Sequence, residues 1–366
     1  MRVESLTIFR FVAAIIVVIF HFGRNTELAN FARPFLVSGP QMVTFFFALS
    51  GFVMMISHYH KQDESLRSYY VARIARIVPV YLVALLIMVY FVYGTGKNDA
   101  MGLFLSLTFL QSWFSPYPLS FNDPAWSLSV EALFYLTLPL ILFVVKQSKI
   151  SALKFAVIAL ALYVFTQFLL SSWMPMRMNQ EYKKASFDII YYFPMSHFCS
   201  FFLGVAGGYL YVMYPNRFNK TGILPFILTI FVMFLTYYLI QHPQILRRFF
   251  GVPLAYGSSF YALLFTLLIL AIAHSKNMMT KILSMRFFVL LGEASYALYI
   301  LQKPMHVIYN KYISIYFELN PNNHFYLYLV ILISASLLSL YIIEKLGKLL
   351  ILKLNKLLMN LQKGST

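Results

Sequence analysis

The first apolar run of the chain carries two side chains whose types and spacing suit chemistry. Arg10 and His21 both lie within residues 6–23. Eleven residues bring a helix back to nearly the same face, roughly 16 Å farther along its axis. Ionisable groups in an apolar segment are costly and are functional candidates, and a neutral histidine can take a proton from a hydroxyl group. The structural alternatives are an arginine that snorkels to the helix end and a histidine at the interface.

A second candidate site lies at the start of the third apolar run. Arg73 and Arg76 are three residues apart in the segment SYYVARIARIVPVYL, so a helix places both on one face. Each guanidinium can bind phosphate oxygens through two parallel hydrogen bonds. The pair therefore predicts a site for a phosphate-bearing ligand. The structural alternative is that both residues only mark the cytoplasmic end of a span.

A carboxylate completes the set of candidates. Glu131 lies in NDPAWSLSVEALFYLTLP, where Pro124 fits a helix start, so we expect Glu131 about one turn inside the outer end of its span. This depth matches that of His21, which is the predicted partner of the buried acid. The alternative is an acidic residue that only favours a helix N-terminus. Glu293 and Lys303, ten residues apart in the ninth apolar run, could pair across the bundle, and a structural role is equally consistent with the sequence.

The elements that position these residues are predicted to be membrane helices. Of the 366 residues, 60% are hydrophobic and 11% are charged, whereas soluble domains have about 25% charged residues. The apolar runs do not alternate and are too long for barrel strands, so the predicted fold class is an all-α integral membrane protein. About ten spans are expected: 6–23, 40–57, 77–93, 127–145, 153–172, 195–214, 223–241, 257–274, 287–309 and 324–344. A shorter piece, 103–113, is predicted to be re-entrant or interfacial.

Basic residues orient this map. With the N-terminus in the cytoplasm, 18 lysines and arginines fall on the inside and 9 on the outside, which predicts that both termini are cytoplasmic. We expect a membrane-embedded domain at 1–350 and a basic cytoplasmic tail at 351–366. The net charge of +17 then reflects topology and contact with anionic lipid. Nucleic-acid binding is not expected, because no polar domain presents a basic surface.

Small residues and a single cysteine have simpler interpretations. Ser50 and Gly51, and also Gly204 and Gly208, predict close helix packing. Cys199 is the only cysteine, so the chain can form no internal disulfide bond.

Five blocks of the sequence together resemble the acyltransferase-3 family. They are Arg10 with His21, FFFALSGF at 45–52, RIAR at 73–76, WSLSVEALFY at 126–135 and GEASYALYI at 292–300. The family consists of bacterial inner-membrane enzymes that typically have ten spans. The resemblance implies transfer of an acyl group, usually acetyl, from cytoplasmic acyl-CoA to a carbohydrate hydroxyl at or beyond the outer face.

The resemblance also implies roles for residues. His21 matches the family's essential histidine, and Arg10 matches its arginine. Arg73 and Arg76 match the motif linked to the acyl donor, and Glu131 matches the acid of the fourth-span block. One departure is Gln302, which stands where many relatives have a histidine. A fused esterase-like domain, present in some relatives, is not found in this sequence.

These observations predict an O-acyltransferase of the bacterial inner membrane. The expected donor substrate is acetyl-CoA, with no permanently bound cofactor and no metal. The expected acceptor is a cell-envelope carbohydrate such as O-antigen or exopolysaccharide, free or lipid-linked. His21 would act as general base and Glu131 would orient it, or His21 would carry the acyl group covalently. The alternatives are a polysaccharide or lipid-carrier transporter and a non-catalytic subunit of a polysaccharide-synthesis complex.

Overall fold

The computed structural model describes residues 3–61, 64–174, 183–215, 223–250, 254–255, 257–275 and 277–364. These residues are almost entirely helical and include no β-strand, which confirms the predicted all-α membrane fold. Some basic residues used for the topology count lie outside the described residues: Arg2, Arg177, Arg217, Lys220 and Lys276. The last two residues of the predicted tail, 365 and 366, also lie outside them.

The α-helices of the described residues are numbered in chain order. They are α1 (Thr7–Phe22), α2 (Glu27–Phe31), α3 (Gly39–His58), α4 (Leu66–Val92), α5 (Ala100–Leu107), α6 (Trp126–Ser148), α7 (Ala152–Trp173), α8 (Lys183–Tyr191), α9 (Pro194–Met213), α10 (Ile223–Gln241), α11 (Pro243–Phe250), α12 (Ala262–His274), α13 (Met278–Leu283), α14 (Arg286–Ile308), α15 (Pro321–Ser339) and α16 (Lys345–Gly364). Two π-helical turns follow α14 and α15, at Tyr309–Ile313 and Leu340–Glu344.

Within the described residues, 8 helical segments are long and apolar enough to cross a membrane. The other two predicted spans, 257–274 and 287–309, correspond to the helices α12 and α14, which are shorter or more polar than the other spans. Helix α12 has only 13 residues and begins after residue 257, and α14 has 23 residues but carries Glu293, Gln302 and Lys303. Helix α4 begins at Leu66, well before the predicted start at residue 77.

Contacts between helices fix their directions. Gly292 of α14 packs on Thr7, and His306 of α14 stacks on Phe22 at 4.1 Å, so α1 and α14 run parallel. The Tyr328 hydroxyl of α15 donates to the carbonyl of Gln302 at 2.8 Å, and the earlier residue His324 lies 2.7 Å from the hydroxyl of the later Tyr309, so α15 returns antiparallel. We call the end of the bundle where α1 begins the proximal face, and the end where α1 finishes the distal face.

The short segment between α4 and α6 enters the bundle and returns to the distal face. Its two ends meet, because the Ser120 hydroxyl donates to the Lys97 carbonyl at 3.1 Å. Its middle reaches inward, because the Tyr81 hydroxyl, about three turns inside α4, donates to the Ser106 carbonyl at 2.9 Å. The prediction that residues 103–113 do not form a span is therefore confirmed, in its re-entrant form.

Helix α16 runs alongside the proximal half of α4. Arg67 donates to the side chain of Asn355 at 2.8 Å, and Gly347 packs directly on Pro79. Residue 350 lies inside this helix, so the predicted division between a domain at 1–350 and a tail at 351–366 does not coincide with the end of an element. The division stays a prediction.

Helices α3 and α9 pack closely through glycines. A side-chain carbon at Gly204 would overlap the backbone carbonyl of Ala48, and one at Gly51 would overlap the carbonyl of Phe201. Gly208 lies in the same way against Phe52. The close packing predicted for these small residues therefore occurs, and it joins α3 to α9.

We predict that Gly204→Leu destabilises the protein, because the added side chain must push α3 away from α9. Overpacking a close contact costs about 1–3 kcal/mol of unfolding free energy or more. Thermal unfolding of the detergent-purified variant measures this loss. Ala161→Leu is a matched control, because Ala161 is exposed on α7 and should accept the same side chain. Equal stability of both variants would contradict this close packing of α3 on α9.

Candidate active site

A cavity of about 490 Å³ lies at the proximal face and contains the predicted arginines. Arg10 of α1 and the pair Arg73 and Arg76 of α4 line it together. Leu49, Val53 and Met54 of α3 supply an apolar wall. The sequence prediction that Arg73 and Arg76 lie on one face is confirmed, and the structure brings Arg10 to the same place. We call this space the proximal cavity.

Two smaller cavities continue from the proximal cavity toward the distal face. The middle cavity has a volume of about 80 Å³, and the deep cavity has a volume of about 40 Å³. Arg10 and Tyr296 line all three cavities. The Tyr296 hydroxyl donates to the Ile77 carbonyl at 2.8 Å, which holds α14 against α4. The deep cavity ends at Ser127 and Tyr299, and the Tyr299 hydroxyl donates to the Pro124 carbonyl at 3.1 Å.

Glu131 lies beside these arginines. Its carboxylate lines the middle and deep cavities together with Arg10. The Tyr135 hydroxyl, one helical turn along α6, donates to Glu131 Oε2 at 3.0 Å. The positive charges of Arg76, Arg10 and Arg73 all act on this carboxylate. Glu131 therefore offsets positive charge in a part of the bundle where water is scarce.

Arg73 is held in place by His58, the last residue of α3. The His58 Nδ1 atom lies 2.9 Å from the Met54 carbonyl, which only accepts hydrogen bonds. The proton is therefore assigned to Nδ1, and Nε2 accepts from Arg73 Nη2 at 2.9 Å. The Arg73 guanidinium also lies over the rings of Tyr69 and Tyr135, at 5.4 and 5.8 Å.

Two further carboxylates line the proximal cavity. Glu293 comes from α14, and Glu344 comes from the π-helical turn that follows α15. The charges of Arg76 and Arg10 act on Glu344. The proximal cavity therefore holds three arginines and two glutamates, and it can bind an anionic ligand without leaving all of its positive charge uncompensated in the free protein.

His21 lies at the distal end of α1, and its side chain is exposed. The charges that act on it are those of Asp123, Arg24 and Lys303. Lys303 and Asp123 form an ion pair at 2.7 Å. Helix α1 is unbroken from Thr7 to Phe22, so His21 and Arg10 keep the predicted separation of roughly 16 Å.

The predicted pairing of His21 with Glu131 is wrong. The hydrogen bonds and ion pairs of the described residues include none between these two side chains. The helical turn at Asp123–Ala125 precedes α6, so Glu131 lies about two turns inside the distal end and not one. As a result, the charge of Arg10 acts on Glu131. The carboxylate whose charge acts on His21 is that of Asp123.

Gln302, which departs from the family pattern, is fully buried in α14. Its Nε2 donates to the Tyr299 carbonyl at 2.7 Å. Its Oε1 has no hydrogen-bond partner among the described residues. This residue lies between the deep cavity and the distal face, since its neighbours Tyr299 and Lys303 contact Pro124 and Asp123.

Sequence reasoning missed several residues of the site. His58, Tyr135, Tyr296 and Glu344 were not singled out, although all four contact or neighbour the arginines. Tyr135 had a usable signal, because it follows Glu131 by four residues on one helix face. For Lys303 the sequence left a structural role and a pair across the bundle open, and it forms an ion pair with Asp123.

These features define a class: a multi-pass membrane protein with charged side chains gathered around a cavity inside the helical bundle. A family model described as an acyltransferase domain matches residues 3–344. The chain therefore belongs to the acyltransferase-3 family, as the five sequence blocks indicated.

Individual relatives cover shorter stretches. The chain is 34% identical over 153 residues to the acyltransferase MdmB of Streptomyces mycarofaciens. It is 32% identical over 146 residues to nodulation protein 10 of Rhizobium leguminosarum bv. viciae. These matches cover 38% and 34% of this chain, and 39% of each relative. No solved structure matches the chain significantly.

We predict that His58→Leu destabilises the protein, because the half-buried Arg73 guanidinium loses its hydrogen-bond acceptor. An unsatisfied buried polar group costs about 1–3 kcal/mol, and thermal unfolding of the purified protein measures the change. His60→Leu is the matched control, because His60 is exposed two residues further along the chain. If His58→Leu unfolds at the temperature of the wild type, His58 does not support Arg73.

Proposed function

We propose that the protein is an O-acyltransferase that moves an acyl group, acetyl in the simplest case, from a coenzyme A thioester to a hydroxyl of a cell-envelope carbohydrate. The donor would bind at the proximal face and the acceptor at the distal face. The observation that carries this proposal is that Arg10, Arg73 and Arg76 line one cavity. Arg10 lies on α1, the helix that also carries His21. The protein would lie in the bacterial inner membrane.

The proximal cavity suits the proposed donor. Coenzyme A carries several phosphates on its nucleotide, and arginine binds phosphate oxygens through paired hydrogen bonds. Its long arm would lie along the apolar wall formed by Leu49, Val53 and Met54. From there the thioester would pass Arg10 into the middle and deep cavities. The roughly 16 Å between Arg10 and His21 is a distance of the order that an extended arm spans.

The proposed transfer forms one bond and breaks one. The acceptor hydroxyl oxygen attacks the thioester carbonyl carbon, the new C–O bond forms, and the C–S bond breaks. His21 takes the hydroxyl proton as general base and then gives it to the sulfur of the departing thiolate, so that coenzyme A leaves as a thiol and the imidazole is neutral again. The negative charge of Asp123 would offset part of the positive charge of Arg24 and Lys303 that also acts on His21.

Glu131 has a different proposed role from the one expected for it as a partner of His21. It would hold Arg10 and Tyr135 in place along the path of the thioester arm. Its position in the walls of the middle and deep cavities supports this role. Glu131 would thus act on the reaction through positioning and charge.

The deciding experiment uses purified protein, labelled acetyl-CoA and candidate carbohydrates from the cell envelope. Label on the carbohydrate supports the proposal. Movement of a polysaccharide or lipid carrier across proteoliposomes, with no acyl transfer, would instead support the transporter that the sequence left open. Neither activity would favour a non-catalytic subunit.

We predict that Arg73→Lys combined with Arg76→Lys weakens donor binding. Lysine keeps each positive charge but cannot form the paired hydrogen bonds of a guanidinium. Losing one hydrogen bond to a charged group costs about 1.5–3 kcal/mol, so KM for acetyl-CoA should rise about tenfold or more. Steady-state kinetics at saturating acceptor measures this change.

Arg67→Lys is the control for this double variant. Arg67 is exposed on the same helix and donates to Asn355, and it does not line the proximal cavity. It should leave KM for acetyl-CoA unchanged. If the double variant also leaves KM unchanged, the donor binds elsewhere and the arginine pair serves topology.

We predict that His21→Ala abolishes acyl transfer while the protein still folds and inserts. The imidazole lies at an exposed end of α1, so its removal should cost little stability, but no other group would take the hydroxyl proton. Turnover is measured with labelled acetyl-CoA, and folding is checked by the unfolding temperature. His60→Ala should retain full activity. Near-normal turnover in His21→Ala would remove this residue from the mechanism.

The proposed location of both termini in the cytoplasm rests on the twofold excess of basic residues on that side. We predict that Thr95→Cys reacts with a membrane-impermeant thiol reagent in intact spheroplasts, and that Ser148→Cys reacts only after permeabilisation. Both residues are exposed, and the native Cys199 is buried and should stay unlabelled. The opposite pattern of labelling would reverse the topology.

A further inference from the structure

A separate cavity of about 370 Å³ lies at the distal face, outside the arginine site. Its walls come from the last residue of α1, the end of α14 and the start of α15. The residues that matter for its chemistry are Phe22, His306, Tyr309, Asn310, His324 and Tyr328. Its volume falls in the range of about 300–1,000 Å³ that is usual for small-molecule sites. We call it the distal cavity.

The walls of the distal cavity combine aromatic rings with neutral polar groups. Phe22 and His306 are stacked with ring centroids 4.1 Å apart, and Tyr328 lies edge-on to both rings. Asn310, Ser314 and His324 add amide, hydroxyl and imidazole groups. Among the described residues, no lysine, arginine, aspartate or glutamate lines the cavity. These walls do not suit a phosphate, which would need cations, or an acyl chain, which needs no polar partners.

A sugar ring has the matching chemistry. The C–H bonds on one face of a pyranose carry partial positive charge and can pack on the negative face of an aromatic ring. The hydroxyls at its edge can exchange hydrogen bonds with neutral donors and acceptors. His324 offers such a group: its Nδ1 is bound to the Tyr309 hydroxyl at 2.7 Å, and its Nε2 makes no hydrogen bond to the described residues.

The backbone beside the distal cavity departs from a regular α-helix. Helix α14 widens into the π-helical turn Tyr309–Ile313, and this turn supplies Tyr309 and Asn310 to the cavity. Turns of this kind are rare and occur frequently at functional sites. The cavity therefore does not result from a simple gap between two regular helices.

The distal cavity begins next to the proposed general base. His21 precedes Phe22 in the chain, and their ring centroids are 5.9 Å apart. A sugar ring packed on Phe22 would thus lie against the residue that directly follows His21. At its inner end, the Tyr328 hydroxyl donates to the Gln302 carbonyl at 2.8 Å, three residues after Tyr299 of the deep cavity.

We propose that the distal cavity binds a neutral sugar ring of the carbohydrate acceptor and presents one of its hydroxyls to His21. This inference rests on the proposed function for its place in the reaction, and it is tested by a binding measurement that requires no turnover. Phe22 and His306 would supply the packing surface. Asn310 and His324 would select among hydroxyl orientations.

The experiment is saturation-transfer difference NMR on protein in lipid nanodiscs. Alkyl maltoside detergents are avoided, because their sugar headgroups would occupy the same cavity. The probes are the methyl glycosides of glucose, galactose, rhamnose and N-acetylglucosamine. At least one should bind the wild type, and Phe22→Leu should weaken it roughly three- to tenfold, because it removes the aromatic face but keeps an apolar side chain.

Two further variants sharpen the test. His324→Phe keeps a ring but removes the polar edge, and it should also weaken the bound glycoside. Tyr326→Leu is the matched control, because Tyr326 is an exposed aromatic residue of α15 outside the cavity, and it should bind as the wild type does. Unfolding temperatures are measured for all three variants, so that a loss of folding is distinguished from a loss of binding.

The outcomes separate this inference from the proposed function. Binding that depends on Phe22 and His324, without acyl transfer, would support the sugar site and contradict the O-acyltransferase. With acyl transfer present, KM for the glycoside should rise in both variants while KM for acetyl-CoA stays constant. The inference is overturned if none of the four glycosides binds, or if folded Phe22→Leu and His324→Phe bind them as tightly as Tyr326→Leu does.

Discussion

Positive charge inside an apolar bundle is the constraint on which this structure depends. The three arginines of the proximal cavity lie among membrane helices, where an unpaired guanidinium is expensive. The negative charges of Glu131 on α6 and Glu344 after α15 act on Arg10, and Glu293 of α14 lines the same cavity. Helices far apart in the sequence must therefore converge around one cavity. The glycine contacts of α3 with α9 and the regular course of α1 provide the rigid frame for that convergence.

Helix periodicity explains which parts of the site could be predicted from the sequence. Arg73 and Arg76 were expected on one face because they are three residues apart, and both line the proximal cavity. Periodicity within one helix does not fix depth relative to another helix. Glu131 was therefore assigned to the level of His21, although the turn at Asp123–Ala125 places Asp123 there. The additional turn before α6 thus changed the partners of Glu131 from the predicted His21 to Arg10 and Tyr135.

Other residues of the site depend on contacts that no local pattern shows. His58 is the last residue of α3, and its role arises because α4 returns beside it and brings Arg73 within 2.9 Å. Glu344 and Tyr309 lie in π-helical turns, where the extra residue in the turn rotates the side chains away from the positions that a regular helix predicts. The helices themselves were predictable because long apolar runs in lipid must satisfy their own backbone hydrogen bonds.

The narrow deep cavity has a consequence for the electrical integrity of the membrane. Its volume of about 40 Å³ has room for about three water molecules, which is far less than a hydrated ion or a sugar requires. A catalyst built in this way would let a small group leave one compartment and appear on a molecule in the other, while the barrier to ions and metabolites stayed closed. The free energy of the thioester would drive this export, and the proton gradient across the membrane would not be spent.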